Sequence, residues 1–154
     1  ALDQIYEVII AHTIKWGIMH SAANHFSREI SRFFDSYFEE HQLATSYIQV
    51  LRLIEKNKSL TQKEIADRMN LAPSTITRFI GKLDKMGLVE KSRAGKEMSV
   101  HIQEKEISTV KQLVSLLNKA ERDLEEILGS KYVETTSALL EYGAEQVGSR
   151  VDGT

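Results

Sequence analysis

At 154 residues, 42% hydrophobic and 27% charged, the chain has the composition of an ordinary soluble globular domain with a sizeable core, without room for a catalytic domain beside a separate binding domain. Cysteine is absent, which excludes disulfides, thiolate metal sites and cysteine nucleophiles. The net charge of −2 conceals an asymmetry, because residues 58–96 hold nine basic side chains (Lys58, Lys63, Arg68, Arg78, Lys82, Lys85, Lys91, Arg93, Lys96) against four acids (Glu64, Asp67, Asp84, Glu90). This window therefore carries +5 and the remainder −7. A basic face on an acidic body suits a polyanionic partner better than a membrane, although a solvated charge run is the plain alternative. No apolar run approaches the roughly 18 residues of a membrane span, and the start "ALDQIYEV" has no basic leader, so a cytoplasmic protein is expected.

With one proline and eight glycines, helices should dominate. Ile5, Val8, Ile9, Trp16 and Met19, then Phe26, Ile30, Phe33, Phe34, Tyr37 and Phe38, recur every three or four positions and predict helices over about 2–17 and 21–39, with Gly17 as a break or a bend. "TSYIQVLRLIEKN" predicts another, with Ile48, Leu51 and Ile54 on one side, followed by a loop at Lys58 and Ser59. Thr61 and Glu64 have the spacing of a capping box, and Ile65, Ala66 and Met69 should face inward. After a turn at "NLA", Pro73 sits where a helix loses nothing by its missing N–H, Ile76, Phe79, Ile80 and Leu83 make the buried stripe, and Gly87 stops the helix. Two short helices across a tight turn, preceded by a third, predict a helix-turn-helix.

Beyond Gly87 the period changes. "LVEKSR" and "EMSVHI" flank "AGK", and Met98, Val100 and Ile102 alternate with Ser99, His101 and Gln103, which predicts a half-buried hairpin, a wing. From Glu104 the helical period returns through Ile107, Val110, Val114, Leu117, Leu124 and Leu128 to a stop at Gly129. A last helix over about 131–147 carries Tyr132, Val133, Leu139, Leu140 and Tyr142, and the tail "GSRVDGT" should fray.

Burying Ile76, Ile80 and Leu83 turns Ser74, Arg78, Gly81 and Lys85 to the far side of the second motif helix, with Thr75, Thr77 and Lys82 on its flanks. That face has no large apolar group. Short hydroxyls let a helix lie deep in a DNA major groove, and an Arg can bond guanine O6 and N7 together. A solvent-facing helix of a bundle is the competing reading, and "PSTITR" alone does not separate the two.

The run "LTQKEIADRMNLAPSTITRFIGKLDKMGLVEK", with its hairpin and surrounding helices, resembles the MarR family of winged helix-turn-helix transcriptional regulators. The resemblance implies a mainly α fold with a short β-hairpin wing: an N-terminal dimerisation arm (about 1–40), a winged DNA-binding lobe (about 41–103), C-terminal dimerisation helices (about 104–148) and a tail (about 149–154). It implies a homodimeric regulator of double-stranded DNA, a repressor of a palindromic operator, with no cofactor and no catalysis. Ser74, Thr75, Thr77 and Arg78 are then the expected groove contacts, Lys82 and Lys85 the phosphate contacts. The family's wing commonly carries a "DxRDxR" pattern, whereas "KSRAGKE" is shorter and offers only Arg93 and Lys96, so a backbone role at most is expected of it. Many members take small aromatic anions in a crevice beside the dimer helices. Trp16, Phe33, Tyr37 and Tyr47 are the residues here that could line one, although aromatics at helical spacing more often form core.

The apolar stripes at both ends have no obvious partner within one winged domain, which favours a second copy over a fold-back monomer. Of the five histidines (His12, His20, His25, His41, His101), no two have the spacing of ligands on one helical face, so no metal site is expected. Two other functions compete. A winged helix used for protein–protein contact would suit the reduced wing and acidic remainder, whereas a small helical enzyme lacks a nucleophile with a nearby base, a phosphate-cradling loop or a convergent acid pair, Glu125 and Glu126 being most simply solvated.

Overall fold

The computed structural model describes Gln4, residues 18–94 and residues 97–151. The chain divides into two units, residues 1–45 and 46–154.

In the first unit, α1 spans Ile18–Ser36. The expected helix over 21–39 thus starts and stops about three residues early, since the chain turns after Ser36 through a short 3-10 segment at Glu39–His41 and Gln42 takes φ 54°. Phe33 meets Phe34 edge-on at 5.5 Å and Tyr37 at 5.4 Å, while Phe38, Leu43 and Thr45 are buried. Asp35 Oδ1 accepts hydrogen bonds from both the amide and the hydroxyl of Thr45, each at 2.7 Å, so the buried hydroxyl is satisfied. The expected helix over 2–17, with Trp16, His12 and the bend at Gly17, lies outside the described residues.

α2 covers Thr45–Asn57, in the second unit from Ser46 onward, and buries Ile48, Val50, Leu51 and Ile54. Lys58 then takes φ 66° and the chain enters β1, Ser59–Thr61, where the sequence predicts only a loop. Its pairing lies far along the chain: Leu60 is opposite Val100 in β3 (Glu97–Ile102), which also pairs antiparallel with β2 (Val89–Ala94), for a sheet order β1-β3-β2. Three residues with one inward side chain carry too little alternation to be seen in the sequence. β2 also runs one residue further than expected, Ala94 pairing with Glu97, whereas β3 has the expected bounds.

The two motif helices are α3 (Gln62–Met69) and α4 (Pro73–Lys85). Ile65 and Ala66 of α3 are buried with Ile76, Phe79, Ile80 and Leu83 of α4, whereas Met69 is only half-buried. α3 closes with Asn70 at φ 50°, the Leu71 amide donating to the Ala66 carbonyl at 3.0 Å. α4 closes in the same manner, Gly87 taking φ 74°, with the Gly87 amide donating to Asp84 O and the Leu88 amide to Leu83 O. That reciprocal pair of bonds is the Schellman arrangement, and it directs the chain into the wing.

α5 (Ile107–Leu128) buries Val110, Leu113, Leu117 and Ala120 and then nothing further among its residues. Of its expected stripe, Ile107 is exposed and Val114 half-buried, with Leu113 and Ala120 in their stead; Glu125 and Glu126 are exposed as expected. Gly129 at φ 85° ends the helix, and α6 follows as Ser130–Val151. It contains no buried residue, and its helix continues past residue 149, where fraying is expected.

Candidate nucleic-acid interface

The N-terminus of the motif is held by reciprocal bonds. The Glu64 amide donates to Thr61 Oγ1 at 3.2 Å, and Glu64 Oε2 accepts from the Thr61 amide at 2.8 Å and its hydroxyl at 2.9 Å. These bonds favour the ionised carboxylate, the backbone one most, and Arg68 adds to them, so the Glu64 pKa falls below its ordinary 4.5. α3 is thereby fixed at its start, and α4 packs against it.

α4 presents two sides of different chemistry. Its buried side is wholly apolar; on the other side Ser74, Thr77, Arg78, Lys82 and Lys85 are exposed, while Thr75 and Gly81 are half-covered. A Cβ added at Gly81 would meet nothing within 4 Å, so the glycine leaves the outward face open rather than accommodating a neighbour in the chain. Arg78 stands 5.8 Å from the centroid of the adjacent Phe79 ring, a contact worth under about 1 kcal/mol at an exposed position, and it forms no ion pair among the described residues. Lys85 likewise has none among them.

Three expected contacts are engaged in ways the sequence does not reveal. Lys82 Nζ lies 4.6 Å from the centroid of Tyr47, whose ring packs at 4.4 Å and 33° on Phe79. Tyr47, assigned above to a ligand crevice, therefore packs on α4 between Phe79 and Lys82. Thr77 Oγ1 lies 3.0 Å from both the Pro73 carbonyl oxygen and the Gln62 side-chain oxygen. Gln62 is the neighbour of the site that sequence reasoning misses: as the first residue of α3 it carries no pattern signal, and its contact with Thr77 comes only from how the two helices pack.

The wing completes this side of the lobe. Cross-strand partners share a face, so Val89, Lys91 and Arg93 lie on one side with Ile102, Val100 and Met98. This is the side that meets α4, for Lys91 Nζ reaches Asp84 Oδ2 at 3.5 Å. Arg93 continues the same row, exposed and without an ion pair among the described residues, beside a Met98 that is 43% exposed. The opposite face carries Ser92 against Ser99 at 3.0 Å and His101 against Glu90 at 3.0 Å. Lys96 lies outside the described residues.

Of the other aromatics, Phe33 borders an open cavity of about 500 Å³ in the first unit, together with Glu29, Arg32 and Asp35. Tyr37 touches Phe33, and Trp16 lies outside the described residues. Among the described residues no group of three or more His, Asp or Glu could hold a metal ion, and no helix is long and apolar enough to cross a membrane.

Residues 45–95, a third of the chain that includes α2, α3, α4 and β2, match the model of the MarR family. Compared by sequence with curated proteins, the chain finds no match. In three dimensions it is similar to a cysteine-to-serine mutant of MarR from E. coli complexed with operator DNA, with a TM-score of 0.70 at 17% identity over 80% of this chain and 91% of that one. The S. aureus MepR–DNA complex gives a TM-score of 0.72 at 16% identity, covering 85% of this chain and 99% of the other. The transcriptional repressor CouR bound to a 23-mer DNA duplex also gives 0.72, at 20% identity and coverage of 82% and 92%. The chain thus has a winged helix-turn-helix fold like that of these three proteins, and its motif segment matches the MarR family model.

Proposed function

We propose that the protein is a dimeric, sequence-specific DNA-binding regulator, a repressor of a palindromic operator. The observation that carries this reading is the outward face of α4: Ser74, Arg78 and Lys85 are exposed, neither cation is paired among the described residues, and Arg93 of the wing lies on the strand face that meets the same helix. Exposed hydroxyls and unpaired cations on a helix narrow enough for the major groove suit base-edge and phosphate contacts together. The three similar structures named above were each solved on DNA, which favours the same use of the fold here.

Dimerisation is part of the proposal. The C-terminal helix leaves Leu139 64%, Tyr142 63% and Val147 67% exposed, with Ile127 at the end of α5 at 66%. Large apolar side chains exposed in this number are rarely left to water, and a second copy would cover them and set two reading helices about one DNA turn, roughly 34 Å, apart. Relief by a small aromatic anion belongs to the same reading; Phe33 and Arg32 at the cavity in the first unit are its candidates, and Tyr47, stacked on Phe79, is not counted with them.

Selection of bound fragments from random duplexes at two salt concentrations tests the reading. Enrichment of an inverted repeat whose affinity falls with salt is the expected result. If nothing is enriched in moderate salt while a protein partner co-purifies, the fold serves protein–protein contact and the regulator reading fails.

A further inference from the structure

We infer that Thr77 turns its methyl group to DNA and reads the C5-methyl of a thymine, and that Gln62 is the positioning residue that fixes this presentation. The inference rests on the DNA-binding reading and specifies what one of its groove residues recognises.

Thr77 sits on α4 one residue before Arg78 and is exposed, yet its hydroxyl is already committed within the protein. Oγ1 lies 3.0 Å from the Pro73 carbonyl one turn earlier and 3.0 Å from the Gln62 amide oxygen. A hydroxyl has a single proton, so it cannot donate to both acceptors at once. Turning the Gln62 amide over resolves this, since its NH₂ then donates to Oγ1 while Oγ1 donates to Pro73; oxygen and nitrogen of such an amide are assigned from the bonding they complete. In either orientation the oxygen faces Gln62 and the preceding turn. Two such contacts hold one χ1 rotamer of a β-branched side chain, which has few to begin with. What remains for a ligand on the exposed side of Cβ is the methyl.

The consequence is chemical. A free hydroxyl is an indifferent reader, able to donate or accept at several base edges, whereas a fixed methyl in the major groove gains most against the thymine C5-methyl. Gln62 can hold the rotamer because it opens α3, whose first turn is itself fixed by the Thr61–Glu64 bonds. Ser74, exposed on the same helix and lacking a methyl, leaves polar reading to a different position.

The test begins with the operator that the wild-type protein selects. Each thymine is replaced singly by deoxyuridine, which removes only the methyl, and affinity is measured for the wild type, Thr77→Ser, Thr77→Val and Gln62→Ala. At one thymine per half-site, uracil should weaken wild-type binding roughly fourfold, the value of one buried methyl-sized group. Thr77→Ser should be insensitive to that replacement, Thr77→Val should keep the sensitivity because it keeps the methyl, and Gln62→Ala should lose part of it. Loss of sensitivity in Thr77→Val, or equal sensitivity in all four proteins, overturns the inference while leaving sequence-specific binding intact. Full sensitivity in Gln62→Ala removes the positioning role. If the wild type selects no sequence, the regulator reading falls first and this one with it.

Discussion

Helices α4 and α6 expose surfaces that are opposite in chemistry. On α4 four large apolar side chains are buried, and what remains outside is mostly hydroxyl, guanidinium and ammonium, with the Asp84 carboxylate paired to Lys91. On α6 nothing is buried, and what remains outside includes Tyr132, Leu139, Leu140, Tyr142, Val147 and Val151. The first face is at ease in water and is argued to be functional from its charge and shape; the second is ill at ease in water and calls for an apolar partner. As the proposed DNA face and the proposed dimer face, the two should answer to different perturbations: salt should act on α4, and apolar-to-charged substitution on α6.

The largest effect is expected from α6. Burying a Leu- or Phe-sized side chain contributes roughly 1.5–3 kcal/mol, and a carboxylate in its place adds a desolvation cost, so the double variant Leu139→Glu, Tyr142→Glu should weaken self-association by about a thousandfold or more. Sedimentation would report monomer where the wild type reports dimer, and operator affinity would fall with it. A variant that remains dimeric would place the interface elsewhere and break the comparison at its second term. Next in size, Ile80→Ala empties a fully buried position on α4 and should cost about 2–5 kcal/mol of stability, read by denaturant unfolding. Its dimer mass should be unchanged in native buffer, which separates the two surfaces again.

Arg78→Ala comes third. It should cost about 1–3 kcal/mol on the selected operator and broaden the preferred base at one position per half-site, with little change in thermal stability because the side chain is exposed, forms no ion pair among the described residues and makes only a weak contact with the Phe79 ring. Arg93→Ala should do less and do it differently, weakening all sequences alike and lowering the slope of log affinity against log salt by about one per site. A sequence-dependent loss at Arg93 would mean that the wing reads bases, contrary to the backbone role its shortened tip suggests.

The two surfaces also differ in how far the sequence announces them. The motif was legible because its signals are local: Thr61 and Glu64 three apart, Asn70 at a helix end, Pro73 at a helix start, Gly87 at a stop, and each adopts the geometry its chemistry favours. The apolar residues that α6 leaves exposed were also legible, as a stripe without an obvious partner in one winged domain. β1 was not, since its three residues become a strand only by meeting β3 some forty residues away, and Thr61 serves both as its last residue and as the cap of α3. The contacts that refine the candidate site were hidden for the same reason. Gln62 with Thr77, Tyr47 with Phe79 and Lys82, and Lys91 with Asp84 all join residues from different elements, and no periodicity records which partner a polar side chain finds.

The smallest expected effect sharpens the comparison by acid. Glu64 accepts from the Thr61 amide and hydroxyl, and these bonds lower its pKa in the folded protein. A carboxylate whose folded pKa lies below its unfolded value contributes stability that is fully present above the unfolded value and is lost as pH falls through the folded one. The start of α3, and with it the seating of Gln62 beside Thr77, should therefore loosen as pH drops below the ordinary carboxylate range near 4.5. Thermal melts of the wild type and Glu64→Gln across that range should differ most near neutrality and converge in acid. Amide exchange should rise first in α3, before the self-association argued for α6 responds. A difference between the two proteins that stays constant from neutral pH into acid would show that the carboxylate's charge does not hold the motif, and would leave the Thr61 hydroxyl alone as the cap.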